Sequence, residues 1–315
     1  MANATCSGEF STASMIFLSI FNSISGFITV CGNFLVLVAI FRTPLLRIAS
    51  NVFIASLAAA DLTIGIIMNP IYIVIVVFIN IMDHEHPLNI AEEYLWIHTV
   101  ITTTFNLAAI SVERYIAVIH PLYYAQVITT RRCLIVVGFI WTFSALFVCT
   151  RAFIYKPDET ETLWIVHSVI GIAIPLCVIT FCYFHIFKAI KQQRRRIDQQ
   201  RTAVCAFDQT PYPQNHTKAA RTMAIVILFF ILFWTPNIVI TILNYFAKDP
   251  CAETQIFQIW VWCASVAFAS SAVNPFVYSI RMQDFRTAIK RICFPGSRKR
   301  ISPIGISQRV SDQEK

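Results

Sequence analysis

Charged side chains are scarce in this chain. Asp, Glu, Lys and Arg together make up 13% of its 315 residues, about half the share of a soluble domain. Glycine is also scarce, at 8 residues. There is no Gly-rich phosphate loop, and no nucleophile–base pair stands out. The N-terminus lacks a basic region and a small-residue cleavage site, so no signal peptide is expected. The shortage of charge excludes a soluble globular protein. The missing phosphate loop and nucleophile remove the usual grounds for an enzyme.

What fills the chain is apolar. Hydrophobic residues make up 57% of it, and mean hydropathy is +0.64. Seven apolar runs are long enough to cross a bilayer, which takes about 20 residues. They cover roughly 15–41, 50–80, 90–118, 132–153, 164–187, 222–246 and 256–280. Backbone amides cannot stay unpaired in lipid, so each run is expected to be a helix.

Basic residues are nearly absent from one side of this arrangement. The odd-numbered connections and the tail hold 22 of the 25 Lys and Arg residues; the other side has Arg151, Lys156 and Lys248. The positive-inside rule then puts the N-terminus outside and the C-terminus in the cytoplasm. The net charge of +8 becomes a cytoplasmic property and does not point to nucleic acid. The expected organisation is an extracellular tail over 1–14 and a seven-helix bundle over 15–280. Within the bundle, 188–221 form the third cytoplasmic loop and the start of helix six. A membrane-surface helix over 282–293 and a cytoplasmic tail over 294–315 follow. Asn3-Ala4-Thr5 is a glycosylation sequon on the outer side.

The few polar groups inside the runs carry the information. Glu113, Arg114 and Tyr115 stand together at the end of the third run. The pair is either an interfacial anchor, with arginine snorkelling to the headgroups, or an internal lock in which Glu113 holds Arg114. Asp61 lies within the second run, where an aspartate costs about 2.5–3.5 kcal/mol on insertion scales. It reads as a hydrogen-bond hub between helices, or as a cation site or switch. Asn33, Thr103, Ser271 and Asn274 are candidate partners. Pro175, Pro236 and Pro275 each interrupt a helical hydrogen bond. Such a kink is either packing geometry or, beside an aromatic as at Trp234-Thr235-Pro236, a hinge.

These residues form an ordered set: Gly32-Asn33, Leu57 to Asp61, Glu113-Arg114-Tyr115, Trp141, Pro175 with Tyr183, Phe230 with Trp234 and Pro236, and Asn274-Pro275-Phe276-Val277-Tyr278. In that order, across all seven runs, the chain resembles a rhodopsin-like (class A) G-protein-coupled receptor. The resemblance implies an all-α membrane protein, a seven-transmembrane bundle with a short amphipathic eighth helix. It implies that Arg114, once freed from Glu113, reaches a heterotrimeric G protein. Asp61, Asn33, Thr103, Ser271 and Asn274 would line a sodium pocket. Phe230, Trp234 and Pro236 would relay ligand binding, and Tyr183 and Tyr278 would swing inward to meet Arg114. Asp284-Phe285-Arg286 would begin the eighth helix, with Cys293 beyond it as a palmitoylation site among membrane lipids. Arrestin and receptor kinases would be further partners.

The chain departs from that family in places. Asn89 stands where a cysteine usually caps the third span, and the second outer loop, about 152–163, has none. Cys6 and Cys251 are the remaining outer candidates for a bridge, which oxidising conditions permit. His216 stands where many relatives carry an acid that holds the arginine, so the lock is expected to rest on Glu113 and to leak. A missing bridge and short second loop are shared with the melanocortin, cannabinoid and lysophospholipid branches; Pro175 argues against a close melanocortin relative. No subfamily is assigned.

For the ligand, Trp96 stands where amine receptors carry an aspartate, which speaks against a monoamine held by that salt bridge. Residues 256–280 contain no lysine, and retinal needs one for its Schiff base. By position, Trp96, His167, Asn237, Thr241, Trp260 and Phe268 would border a ligand pocket; His167 reads equally as an interhelical hydrogen bonder. The outer face carries ten acids against three bases. Either outer loops are simply poor in Lys and Arg, or the field concentrates a cationic ligand, a basic peptide or polyamine. Glu92 and Glu93, at the mouth of the third span, are the anchors in that case. Asp83-His84-Glu85-His86 has ligand types for zinc, but is expected to be a solvated loop. A transporter or channel is the competing class. No inverted repeat and no Gly-rich broken helices support it. A non-coupling scaffold is the third, and would have no use for Arg114.

Overall fold

A computed structural model describes residues 9–82, 86–150, 164–203, 214–246 and 249–294. Among them, seven helices are long and apolar enough to cross a membrane: Thr12–Arg42, Asn51–Val77, Pro87–Ile119, Thr130–Val148, Trp164–Gln193, Ala220–Asn244 and Cys251–Arg281. They are called the first to seventh spans below. No strand occurs among the described residues.

The third span is the axis of the bundle. It packs against the second, fourth, fifth and sixth spans. In its most apolar stretch 67% of residues are buried, against 17% in the fourth span. A residue on the third span can therefore reach almost any other helix. A residue on the fourth faces mostly outward.

The prolines explain much of the cross-bracing. A proline has no N–H to give the carbonyl four residues back. Pro175 leaves the carbonyl of Gly171 free within a π turn, Val169–Ala173; Thr104 on the third span donates its hydroxyl to that oxygen at 2.6 Å. Pro275 leaves the carbonyl of Ser271 free; Asn33 on the first span donates its amide to it at 3.1 Å. Spans one and seven meet closely beside this bond. A Cβ on Gly32 would lie 2.8 Å from Pro275 Cγ, so only glycine fits there. Tyr72 ties span two to span seven through a 2.7 Å bond to the carbonyl of Val261.

Several helix ends differ from the hydropathy-based limits. The first span begins at Thr12, with Ser11 accepting from the Ser14 N–H, an N-cap that hydropathy does not register. The fourth α-helix ends at Val148. The fifth continues as helix to Ala203, and the sixth begins at Gln214, so much of 188–221 is helix rather than loop. Lys188 to Ala203 holds strong helix formers and no Gly or Pro, so nothing stops the helix where its apolar face ends. After the seventh span, Gln283–Cys293 forms a further helix, with Phe285 buried against Tyr278 at 5.9 Å.

At the outer end the chain is clasped. The side-chain amide of Asn80 accepts from the Phe10 N–H at 2.8 Å and donates to its carbonyl at 2.9 Å. Phe10 is buried in the same core cluster as the spans. Cys251 is disulfide-bonded, and the other described cysteines are free thiols. Asn3, Cys6, Asp83, His84, Glu85 and the second outer loop lie outside the described residues, as does the side chain of His216.

Candidate functional site

Three clusters lie in line along the inner face of the third span. Glu92, Trp96, Thr103 and Arg114 are all buried on that helix, spaced so that they face the bundle interior.

The innermost cluster is the Glu113–Arg114 pair. Arg114 Nε lies 3.0 Å from Glu113 Oε2, and both side chains are buried. The N–H is not aligned as a hydrogen bond, so the contact is mainly electrostatic. Both side chains are thus turned into the bundle and not out toward the headgroups. The carboxylate has a second partner that sequence reading missed. The Tyr124 hydroxyl donates to Glu113 Oε1 at 2.5 Å. Tyr124 lies on a short helix, Pro121–Val127, opened by a proline at its first position. Burial, then the adjacent Glu113 charge, pushes the Tyr124 phenol well above its ordinary range. It therefore stays a protonated donor. Tyr115 points elsewhere, into a ring cluster with His120, Phe181 and His185. Tyr183 donates to the carbonyl of Ala220 at 3.4 Å. The Tyr278 hydroxyl is buried without a partner.

The middle cluster is a small cavity lined by Asp61, Thr103, Leu107, Val226, Phe230, Ser270, Ser271 and Asn274. Asn274 donates to Asp61 Oδ2 at 2.8 Å. Asp61 Oδ1 and Thr103 Oγ1 are buried with no partner. A buried carboxylate without a counter-charge is costly, and the one ion pair among the described residues is Glu113–Arg114. A hard cation with oxygen ligands fits this donor set. Asn33 is not on the cavity wall. Its amide is spent on the carbonyls of Thr29 and Ser271, for the proline reason given above. Ser270, which sequence reading passed over, takes its place on the lining and accepts from Trp234 Nε1 at 3.3 Å.

The outer cluster is aromatic. Trp234 stacks on Phe230 at 5.5 Å and meets Trp96 at 5.4 Å. Trp96 also touches Trp260 at 5.5 Å and Phe268 at 5.2 Å. Pro236 lies inside the sixth helix, two residues beyond Trp234. Glu92 lies one turn outward of Trp96 and is 7% exposed, with Oε1 unpaired. Glu93 is half-buried on the flank of the helix. Asn237 is buried on the sixth span with its amide nitrogen unpaired, and Thr241 donates to its carbonyl. His167 packs between Phe147 and Trp164 and lies 3.3 Å from the Thr150 hydroxyl.

A seven-helix membrane protein with a buried ion pair at one end, a polar cavity at its centre and an aromatic cluster toward the other defines a class. Residues 32–278 match the 7 transmembrane receptor (rhodopsin family), and the chain belongs to that family. It is a multi-pass membrane receptor of the family that acts through heterotrimeric G proteins. Among its curated relatives, Dopamine receptor 1 of Drosophila melanogaster is 28% identical over 90% of this chain and 63% of its own length. Trace amine-associated receptor 9 of Mus musculus is 27% identical over 84% of this chain and 81% of its own. Melatonin receptor type 1A of Gallus gallus is 29% identical over 83% of this chain and 75% of its own. These relatives are receptors rather than enzymes.

Proposed function

We propose that this chain is a plasma-membrane receptor, N-terminus outside, that binds an extracellular cationic ligand and activates heterotrimeric G proteins as an exchange catalyst. The buried Glu113–Arg114 pair carries the reading. Taken alone it is a closed state, and freeing Arg114 toward the cytoplasm is the open one. A ligand shifts that balance only by binding the open state more tightly. Tyr183 and Tyr278 are poised to receive Arg114; the unpaired Tyr278 hydroxyl supports that role. Phe230, Trp234 and Pro236 relay between the ligand and the cavity. Asp61, Thr103, Ser271 and Asn274 would hold a sodium ion, which supplies the counter-charge Asp61 lacks. Arrestin, receptor kinases and membrane lipids follow as partners from the family. Cys293, exposed at the end of its helix, is the palmitoylation site, Asn3 the glycosylation site, and Cys6 the proposed disulfide partner of Cys251.

The cationic ligand is supported by the acid excess outside and by Glu92, inward-facing with its Oε1 unpaired. Two of the relatives are amine receptors by name. We assign the anchor to Glu92, with Glu93 contributing to the surrounding field. Glu92→Gln is expected to weaken the cognate agonist about tenfold or more, the value of one charge-assisted hydrogen bond, with surface expression unchanged. An agonist of equal potency on both chains would remove the anchor.

Coupling is tested by basal activation across a panel of Gα subtypes, comparing native chain and Arg114→Ala at matched surface expression. The native signal is expected to fall to that of untransfected cells in the variant. A signal that survives the loss of Arg114 would rule out this mechanism.

A further inference from the structure

An unbroken column of rings runs from the outer mouth of the bundle to its polar cavity. Trp260 touches Trp96 at 5.5 Å, Trp96 touches Trp234 at 5.4 Å, and Trp234 stacks on Phe230 at 5.5 Å. Phe230 then lines the cavity that holds Asp61. Phe268 braces Trp96 from the side at 5.2 Å, and Tyr72 braces Phe268 at 5.1 Å. Trp260 is half-buried, whereas Trp96, Trp234, Phe230 and Phe268 are buried. Among the described residues, Trp96 is the one ring that joins the outer part of this column to the inner part.

We infer that Trp96 is a tethered stand-in for a ligand: its indole fills the space directly above Trp234 and holds Trp234 in the locked arrangement. An extracellular ligand then acts by moving Trp96 from its outer side and does not touch Trp234. The signalling half of this inference rests on the proposed receptor function; the space-filling half does not.

The physical argument is packing. Bundle interiors are as dense as organic crystals, so a ring cannot shift without its neighbour shifting. Trp234 meets Trp96 on one side and Phe230 on the other. In the same structure the Glu113–Arg114 pair is closed. The packed column and the closed lock therefore belong to one state. Trp96 is thus a positioning residue that also sets specificity. It limits ligand depth to the level of Glu92 and Trp260, one helical turn, about 5.4 Å, higher than the floor would otherwise lie. In the native chain the Trp96 and Phe230 rings already pack on Trp234 at 5.4 and 5.5 Å.

Chemical complementation tests this without the natural ligand. Trp96→Ala removes an indole from a closely packed apolar surround. Such cavities stay dry and take up an aromatic molecule of matching size. Free indole, at about tenfold excess over its Kd, is expected to raise the melting temperature of purified Trp96→Ala receptor by roughly 3 °C. It should leave native receptor unchanged. In cells, Trp96→Ala at matched surface expression should signal several-fold above native without ligand, and added indole should return that signal toward native. Trp96→Phe, which keeps a smaller ring, should fall between. If Trp96→Ala fails to reach the surface, Trp96→Leu is taken through the same two readouts. Indole that stabilises both chains equally, or neither, overturns the inference. So does a basal signal in the variant at or below native. The melting readout needs no G protein. A chain that proves silent with every Gα would sink the proposed function while the indole shift still decided the role of Trp96.

Discussion

Glu113→Gln is expected to raise ligand-independent G-protein signalling about tenfold or more over the native chain at matched surface expression. The proposed lock is a buried ion pair at 3.0 Å. Removing one partner of such a pair leaves an unpaired buried charge, a cost of about 3–5 kcal/mol. That is as large as the few kcal/mol that separate two states of a switch. Arg114 then has no reason to stay folded against its own helix, and the open state becomes well populated. Tyr124→Phe should raise the signal less. Its hydroxyl bonds the other carboxylate oxygen, Oε1, and that bond can persist after Arg114 leaves. It therefore stabilises closed and open states alike, and much of its loss cancels. Equal basal signals from Glu113→Gln and the native chain would mean that the pair does not restrain the receptor. A larger effect from Tyr124→Phe than from Glu113→Gln would move the restraint to the short helix.

The spans and the Glu113–Arg114 contact were legible because each rests on short-range chemistry. Twenty apolar residues in a row have few places to go but lipid, and Glu113 and Arg114 are adjacent. What stayed hidden depends on how helices dock. Tyr124 reaches Glu113 across a proline-initiated turn, and an exposed-looking Tyr-Tyr pair gives no sign of which ring turns inward. Asn33 and Asp61 are both polar residues in apolar runs, and the sequence alone puts them together. The structure gives Asn33 a different task, bonding the carbonyl that Pro275 frees. That pairing obeys a simple rule, since the freed oxygen always lies four residues before the proline. The rule identifies Ser271 as the residue needing a donor, but not which helix supplies it. Thr104 and the Gly171 carbonyl repeat the pattern at Pro175. The fifth helix outruns its apolar run for another reason. Hydropathy marks where the membrane stops, whereas helix propensity decides where the helix stops, and Lys188 to Ala203 is polar yet strongly helical.

The same docking defines the second large effect, at Asp61. Raising NaCl in place of choline chloride at constant ionic strength is expected to raise the melting temperature of the native receptor by roughly 4 °C. A cation that binds only the folded state at tens of times its Kd contributes about 2 kcal/mol, which corresponds to a shift of that order. In Asp61→Asn the sodium dependence should vanish. Asparagine keeps the shape and the contact with Asn274 but removes the charge, so the variant should fold and report on charge alone. The case for sodium is the imbalance at this site. Asp61 is fully buried, its Oδ2 is satisfied by Asn274 at 2.8 Å, and its Oδ1 and the Thr103 hydroxyl are both buried without a hydrogen-bond partner on residues that line the same cavity. Phe230 is another wall of that cavity, so the cation and the aromatic column share a surface. A bound ion would favour the arrangement in which Phe230, Trp234 and Trp96 remain stacked. Sodium should accordingly lower basal signalling in native chain and leave Asp61→Asn indifferent. A native receptor that melts at the same temperature in sodium and choline would leave Asp61 as a hydrogen-bond hub between helices, held by Asn274 and the neighbouring Ser271.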